Sequence, residues 1–529
     1  MTDSPITDYD RIPYPAGPYT QSHPDRLATL ARLFGMSPRD ARSCRVLELG
    51  CADGSNLIPM ACALPESRFI GVDLAARQIK SGCELIAALG LANIELRHLS
   101  ISGVDDSFGT FDYIIAHGVF SWVPFEVQEK ILQICREHLS EQGVAYVSYN
   151  TYPGWRMRGM LRDMMLYHSR KFDDPQKQIE QARALINWLA ETVTAENDPY
   201  GLLLKCELEH MQRWQDTYFR HDSLEEINEP VYFHQFVERA ERHGLQYLAE
   251  AEFSWMLASN YAAPVDKTLN RLGRDIIEIE QYMDFLCNRM FRQTLLCRRS
   301  IKLNRSLGPR SLSGLHVAAL LQPVAAEPEI HSTKAESFCG PKDLTLTSSQ
   351  PIVKAALVLL AESWPQAIAF SDLANRAHSL LMSHAVTATP SGDDSATDAR
   401  VLGDALLTCF AKELCELHMH PGQFAVSPGE RPLACPLVRL QAAHGDSVTN
   451  RRHERVLLDG FASHLLPLLN GERDRTALLE VLVNLVVNGS LTVDKDGTTV
   501  REPQELVEIM TGELDKALFG YGRQALLIG

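Results

Sequence analysis

The chain lacks any run of the about 18 apolar residues that a membrane-spanning helix needs. It also lacks a Cys-x-x-Cys pair and a His/Cys cluster at zinc spacing, so no metal site is expected and the 12 scattered cysteines read as reduced core residues. A long Lys/Arg run is missing too. With a formal net charge of −16, the chain is not built for broad electrostatic capture of nucleic acid or anionic membrane. Residues 1–17 carry Asp3, Asp8 and Asp10 but no apolar h-region, so they do not read as a secretory signal, and the expected location is the cytoplasm. At 529 residues the chain exceeds what one core organises, which sets three or four domains as the expectation.

What is present begins with a short apolar strand, Arg45 to Leu49, that carries Glu48 and runs into Gly50-Cys51-Ala52-Asp53-Gly54. Asn56 to Ala61 then reads as the start of a helix. The glycines let backbone approach a ligand, because they have no side chain and accept positive φ. A second strand, Phe69 to Asp73, ends on an acid 23 residues after Gly50, close to the spacing at which nucleotide-binding βαβ units place their ribose acceptor. Dinucleotide sites instead use Gly-x-Gly-x-x-Gly, whose helix N-terminus binds pyrophosphate. Here Cys51-Ala52-Asp53 separates the glycines, and Asp53 would repel a phosphate. A ligand carrying an ammonium and a sulfonium suits these acids, so the motif reads as an S-adenosylmethionine (AdoMet) site.

Strands expected at 45–50, 68–73, 94–98, 111–117 and 143–150 alternate with helices such as 76–89 and 126–139, the pattern of an α/β doubly wound, Rossmann-like sheet. A helix is expected from Pro24 to Leu33. From Met157 to Thr194 the pattern is continuously helical, with a second helical stretch from Leu202 to Phe219. A helix beginning near Val231 and a strand from Leu245 to Phe253 then resume the sheet. The division read from this is a core at 1–156, a helical insert at 157–230, completion of the core with a regulatory region at 231–304, a middle, mainly helical domain at 305–440 and a winged-helix-like domain at 441–529. Asp275 to Arg299 reads as an amphipathic helix, Ile352 to Leu381 as helical, and Thr387 to Ala399 as a loop. A helix after Asn470 to Thr476, then a strand, an Asp494-Lys495-Asp496-Gly497 turn and a second strand suggest the winged helix, which shows no basic recognition helix and so favours protein contact over DNA.

In an open parallel sheet the ligand lies at the carboxyl ends of the strands, near the switch point. The fourth strand delivers His117, Gly118 and Trp122 there, and the fifth delivers Asn150, Tyr152 and Trp155. These are the candidate catalytic residues: His117, Trp122, Asn150, Tyr152 and Trp155. Methylation of an amine is mostly positioning, and aromatic walls exclude water and attract cations. Each also has a plainer reading. The aromatics serve equally as packing, His117 is either a base or a ring closing the cofactor pocket, Asn150 holds either substrate or turn, and Cys51 is a pocket-floor residue.

Tyr14-Pro15, Tyr19 to Leu27, Glu48 to Gly54, Asn56 to Ala61, Tyr113 to Pro124, Ser148 to Trp155, Glu229 to Phe233 and Gly244 to Leu248, and more weakly the C-terminal third, together resemble class I methyltransferases that carry a methyltransferase regulatory domain. That group includes the rickettsial-type protein lysine methyltransferases. The resemblance implies cofactor contacts from Tyr19, Gln21, His23, Glu48, Gly50, Cys51, Asp53, Gly54, Asn56, Asp73, Leu74, Gln78, Ser100, Ile101, His117 and Gly118. It further implies lysine methylation on bacterial surface proteins in the cytoplasm before export, and a homodimer held by the inserted helices. Ser100 departs from the pattern: the family has an acid there for the adenine amine, and an uncharged acceptor binds it less strongly. Two other classes stand beside this one, a small-molecule methyltransferase with regulatory C-terminal domains and a non-catalytic AdoMet-binding protein. Leu161, Met164, Met165, Leu185, Ile186 and Leu189 offer more apolar surface than one sheet edge covers, so a dimer in which this patch meets itself is expected, the alternative being a monomer that folds the insert onto its own C-terminal domains.

Overall fold

The computed structural model describes residues 12, 14, 16–193, 198–383, 392–495, 498–499 and 502–529. Asp3, Asp8, Asp10, Pro15, residues 387–391 of the expected loop and the Asp496-Gly497 turn lie outside them.

The core is a seven-stranded sheet: β1 (Arg45–Leu49), β2 (Arg68–Asp73), β3 (Ile94–His98), β4 (Phe111–Ala116), β5 (Leu139–Asn150), β6 (Leu245–Glu250) and β7 (Phe291–Arg298). Their spatial order is β3-β2-β1-β4-β5-β7-β6, parallel from β3 to β5, with β7 antiparallel to both neighbours. Leu47 at the centre pairs with Ile70 on one side and Ile114 on the other. Strands buried on both faces read as continuous apolar runs, which is why Val46, Leu47 and Leu49 are all sealed from solvent. Helices α1 (Pro24–Leu33), α2 (Leu57–Ala63), α3 (Ala76–Leu89) and α4 (Phe125–His138) flank the sheet. Local sequence sets their ends. The His23 ring accepts from Asp25 N ahead of Pro24, and Gly90 closes α3 in the left-handed region.

The helical insert differs from its expected outline. The described part of 157–194, which ends at Val193, holds two helices, α5 (Trp155–Ser169) and α6 (Pro175–Thr192), and 202–219 is again two, α7 (Pro199–Met211) and α8 (Asp216–Leu224). The first break occurs where Asp174 caps Lys177 N and Pro175 takes the first turn. Leu161, Met165 and Ile186 are fully buried within the insert, packed with Leu204, Met211, Phe219 and Leu224. Half of the expected patch is therefore closed by α7 and α8, while Met164, Leu185 and Leu189 line an open groove.

The expected helix over 275–299 is also corrected. After α9 (Phe233–Arg242) and α10 (Ala263–Leu272), α11 runs only from Ile276 to Cys287. Asn288 then turns left-handed at φ +50°, and β7 follows. The strand was illegible because it is buried on both faces and carries polar residues there, so no period-two pattern appears. Arg292 is fully buried and bonds Glu250, Glu280 and Asp284, while Arg298 bonds the carbonyls of Leu139 and Ser140. These arginines are internal ties, not the polar face of a helix.

The sixth strand ends at Glu250, short of Phe253. Residues 352–381 split into helices Pro351–Ser363 and Phe370–Met382 around the short strand Ile368–Ala369. Of the expected loop at 387–399, the described part opens the helix Gly392–Ala411. Near the C-terminus, helix Arg475–Val487 precedes the paired short strands Asp494–Lys495 and Thr498–Thr499 and the long helix Pro503–Arg523, a winged-helix arrangement. No helix among the described residues is long and apolar enough to cross a membrane.

Candidate active site

The turn after β1 is held open by backbone that glycine favours. Gly50 and Gly54 have φ of +75° and +76°, and even Ala52 between them is left-handed at +50°. Asp73, at the end of β2, fastens this turn: its Oδ2 accepts from Ala52 N and its Oδ1 from Ala75 N, both at 2.8 Å. Asp53 is turned onto Ser55, accepting from its N and Oγ. Behind them Glu48 is 2% exposed, with Oε1 bonded by Asn56 Nδ2 at 2.8 Å and Oε2 without a partner. Burial pushes Glu48 up to about 8, with repulsion from Asp73 and Asp53 adding to it. Burial likewise holds the Cys51 thiol well above its usual range, which fits a pocket-floor residue and not a nucleophile.

Around this turn the structure gathers the other cofactor candidates. Tyr19 lies on the His117 ring at 3.7 Å between centroids, and His117 Nδ1 is 2.8 Å from the Tyr146 hydroxyl, which Gln21 also bonds. Burial drives His117 down to about 3, so the ring is neutral. Gly118 N donates to Ser148 Oγ. Gln78 reaches the Tyr14 carbonyl at 3.4 Å, and the Leu74 carbonyl lies 3.0 Å from His98 Nε2 with the Leu74 side chain exposed. Ser100 Oγ accepts from Ser102 N and so caps the turn that carries buried Ile101.

The ends of β4 and β5 bring the acceptor candidates together. Trp122 meets Trp155 edge-on at 6.0 Å, Tyr152 packs on Tyr232 at 5.2 Å, and the Arg156 guanidinium lies 4.0 Å over the Tyr152 ring. Asn150 N donates to Ser121 Oγ, and its Nδ2 donates to Asn228 Oδ1 at 3.0 Å. From Tyr152 and Trp155 a groove of ≈ 820 Å³ opens along α5 and α6, lined also by Met160, Asp163 and Tyr200.

Three family descriptions match the chain: a methyltransferase domain at residues 47–145, a predicted methyltransferase regulatory domain at 215–298 and a PKMT C-terminal winged helix domain at 430–526. Protein RP789 of Rickettsia prowazekii is 34% identical over 98% of this chain and 93% of its own length. PKMT2 from Rickettsia typhi superimposes over 98% of this chain and all of its own at 30% identity and a TM-score of 0.86. Its complex with S-adenosylhomocysteine (AdoHcy) does so at 31% identity and 0.87. The chain belongs to the PKMT family of methyltransferases. It is an AdoMet-dependent methyltransferase with the Rossmann-like core, helical regions and winged helix of its relatives.

The residues of this PKMT-family chain fit that cofactor. Three carboxylates meet at one turn, where burial and repulsion from Asp73 and Asp53 hold Glu48 protonated with one buried oxygen unpaired, an arrangement that a cationic ligand would relieve by letting Glu48 ionise. Glu48, Asp53 and Asp73 would face its charged and hydroxyl groups, with Tyr19 and His117 walling the same turn. Sequence reasoning missed Tyr146, Ser148, Ser121, Asn228 and Tyr232. Tyr146 and Ser148 stand at period two with Asn150 on β5, so a polar face in an apolar strand was the available signal. For Asn228 no local signal existed, since its role depends on where α8 ends.

Proposed function

We propose that this PKMT-family enzyme is a protein lysine N-methyltransferase, acting in the cytoplasm on bacterial surface proteins before export. Bound AdoMet supplies the electrophilic methyl group. The chain must then strip water from a neutral amine and align it. The observation that carries the reading is the aromatic cluster after β4 and β5, in which Tyr152 and Trp155 line an open groove and are backed by Tyr232 and Trp122. Such rings attract an arriving lysine ammonium through their faces and exclude water once it is placed. Asn228 fixes which way the Asn150 amide faces beside them. His117, neutral and enclosed by Tyr19 and Tyr146, is too weak a base to take the proton and serves to shape the cofactor pocket. The name PKMT2 carried by the R. typhi relative supports a lysine acceptor.

The homodimer belongs to the same proposal, with a changed interface. Leu161 and Met165 are core, whereas Trp188 on α6 is 58% exposed and offers apolar surface that a second copy would cover. The decisive experiment follows labelled methyl from AdoMet into whole-cell protein and into small molecules, with acid hydrolysis of the protein fraction. Label recovered as methyl-lysine is expected. Label confined to small molecules would replace this reading with a small-molecule methyltransferase.

A further inference from the structure

Residues 19–23 lie across the cofactor turn as a strap, and Asn56 holds it there. Its Oδ1 accepts from Tyr19 N at 2.9 Å, and its Nδ2 donates to Ser22 Oγ at 3.1 Å and to Glu48 Oε1 at 2.8 Å. The remaining partner comes from the other end of the chain. His453 Nε2, 397 residues away, lies 2.8 Å from Asn56 Oδ1. An amide oxygen carries no proton, so the imidazole must donate, and burial keeps the ring neutral.

The winged-helix domain is shaped to deliver this side chain. Asn450 Oδ1 accepts from Arg452 N and Glu454 N, and Asn450 N donates to the Glu454 carbonyl, which pinches the loop closed. At its tip His453 is left-handed, with φ +63°, a strained conformation for a non-glycine residue that persists only where surroundings enforce it. The His453 carbonyl accepts from Thr20 Oγ1 at 2.7 Å, and Arg451 donates to the Cys62 carbonyl in the last turn of α2. The tip thus grips both the strap and the helix that follows the cofactor turn.

We propose that His453 is a positioning residue for the cofactor: the C-terminal domain orients Asn56, and through it Glu48 and the Tyr19 strap, so that AdoMet is bound by the core and the winged-helix domain together. The inference rests on assigning the Glu48–Asn56 turn to the cofactor and is independent of the methyl acceptor.

Calorimetric titration of the full chain with AdoHcy tests it. His453→Gly removes the donor while relieving the left-handed backbone, so the ligand-free thermal midpoint should hold or rise while Kd rises about five- to tenfold, the value of one lost hydrogen bond. Free imidazole should restore part of the affinity. Arg451→Ala cuts the same domain contact without touching Asn56 and should leave Kd within about twofold. Binding by His453→Gly within twofold of the parent, or an equal loss in Arg451→Ala, would overturn the proposal. Asp73→Ala separates the two levels. If that variant still binds, the cofactor assignment itself has failed. If it loses binding while His453→Gly keeps it, only the role of His453 has.

Discussion

The cofactor half and the acceptor half of the strand ends are built on different principles. On the cofactor side, β1, β2 and the turn between β1 and α2 act through backbone. Positive φ at Gly50, Ala52 and Gly54 aims the chain, and Asp73 pins it through two amides. On the acceptor side the chemistry lies in aromatic and amide side chains that separate elements prop up, such as Tyr232 against Tyr152 and Asn228 against Asn150. The backbone-built half leaves little freedom to its sequence. The half built from side chains depends on supports that come from separate elements.

That contrast is most sharply broken or kept by Asp73→Ala. Losing two charge-assisted bonds to the turn as well as a ligand contact should weaken AdoHcy binding by about a hundredfold or more, read by calorimetry. Unchanged affinity would dissolve the distinction. Next in size is Trp122→Ala, which should lower kcat by about ten- to thirtyfold while AdoMet affinity stays within about twofold. Trp122 is the cleaner probe because Trp155 is 3% exposed, and truncating a buried Trp would also cost about 3–5 kcal/mol of stability.

Glu48 allows a subtler test. Its value of about 8 lies above the ordinary 4.5, so the folded, ligand-free protein favours the protonated acid. Stability from this group is therefore greatest below pH 4.5 and declines as pH rises toward 8. A cationic ligand should pull the value down and release close to about one proton at pH 7. Calorimetry in two buffers of different ionisation enthalpy measures that release, which should vanish in Glu48→Gln. Equal release from both proteins would show that Glu48 does not face the ligand's charge. The smallest effect on stability, within about 0.5 kcal/mol, is expected from Trp188→Glu on the exposed face of the insert. Sedimentation should then show a wild-type dimer and a monomeric variant, and a variant that stays dimeric would move the interface elsewhere.

The cofactor half was legible for the reason it is rigid. A strand, an acid and spaced glycines are contiguous in sequence, and β2, β3, α1 and α3 lie where alternation and capping residues place them. The acceptor half was legible only in outline, as residues following β4 and β5. Its supports, Asn228 and Tyr232, depend on how the insert returns to the sheet. Two misreadings share a cause. The 275–299 segment looked helical because the arginines of β7 are inside, and Leu161 and Met165 looked unpartnered because α7 and α8 were read apart from them. In both cases a tertiary partner distant in sequence decided what a local pattern meant.

The placement of β7 between β5 and β6 also dictates the order in which the molecule can be finished. β6 joins the sheet only through β7, so while residues 291–298 are still unmade β5 has an unpaired edge and β6 no strand to join. The insert is synthesised within that interval, and its own apolar cluster gives it the means to fold beside an incomplete sheet. Arg292 then enters with β7 and bonds three acids already waiting on β6 and α11. Closing the sheet is thus a late step in biogenesis, and the aromatic cluster that follows β5 is completed only when it is done.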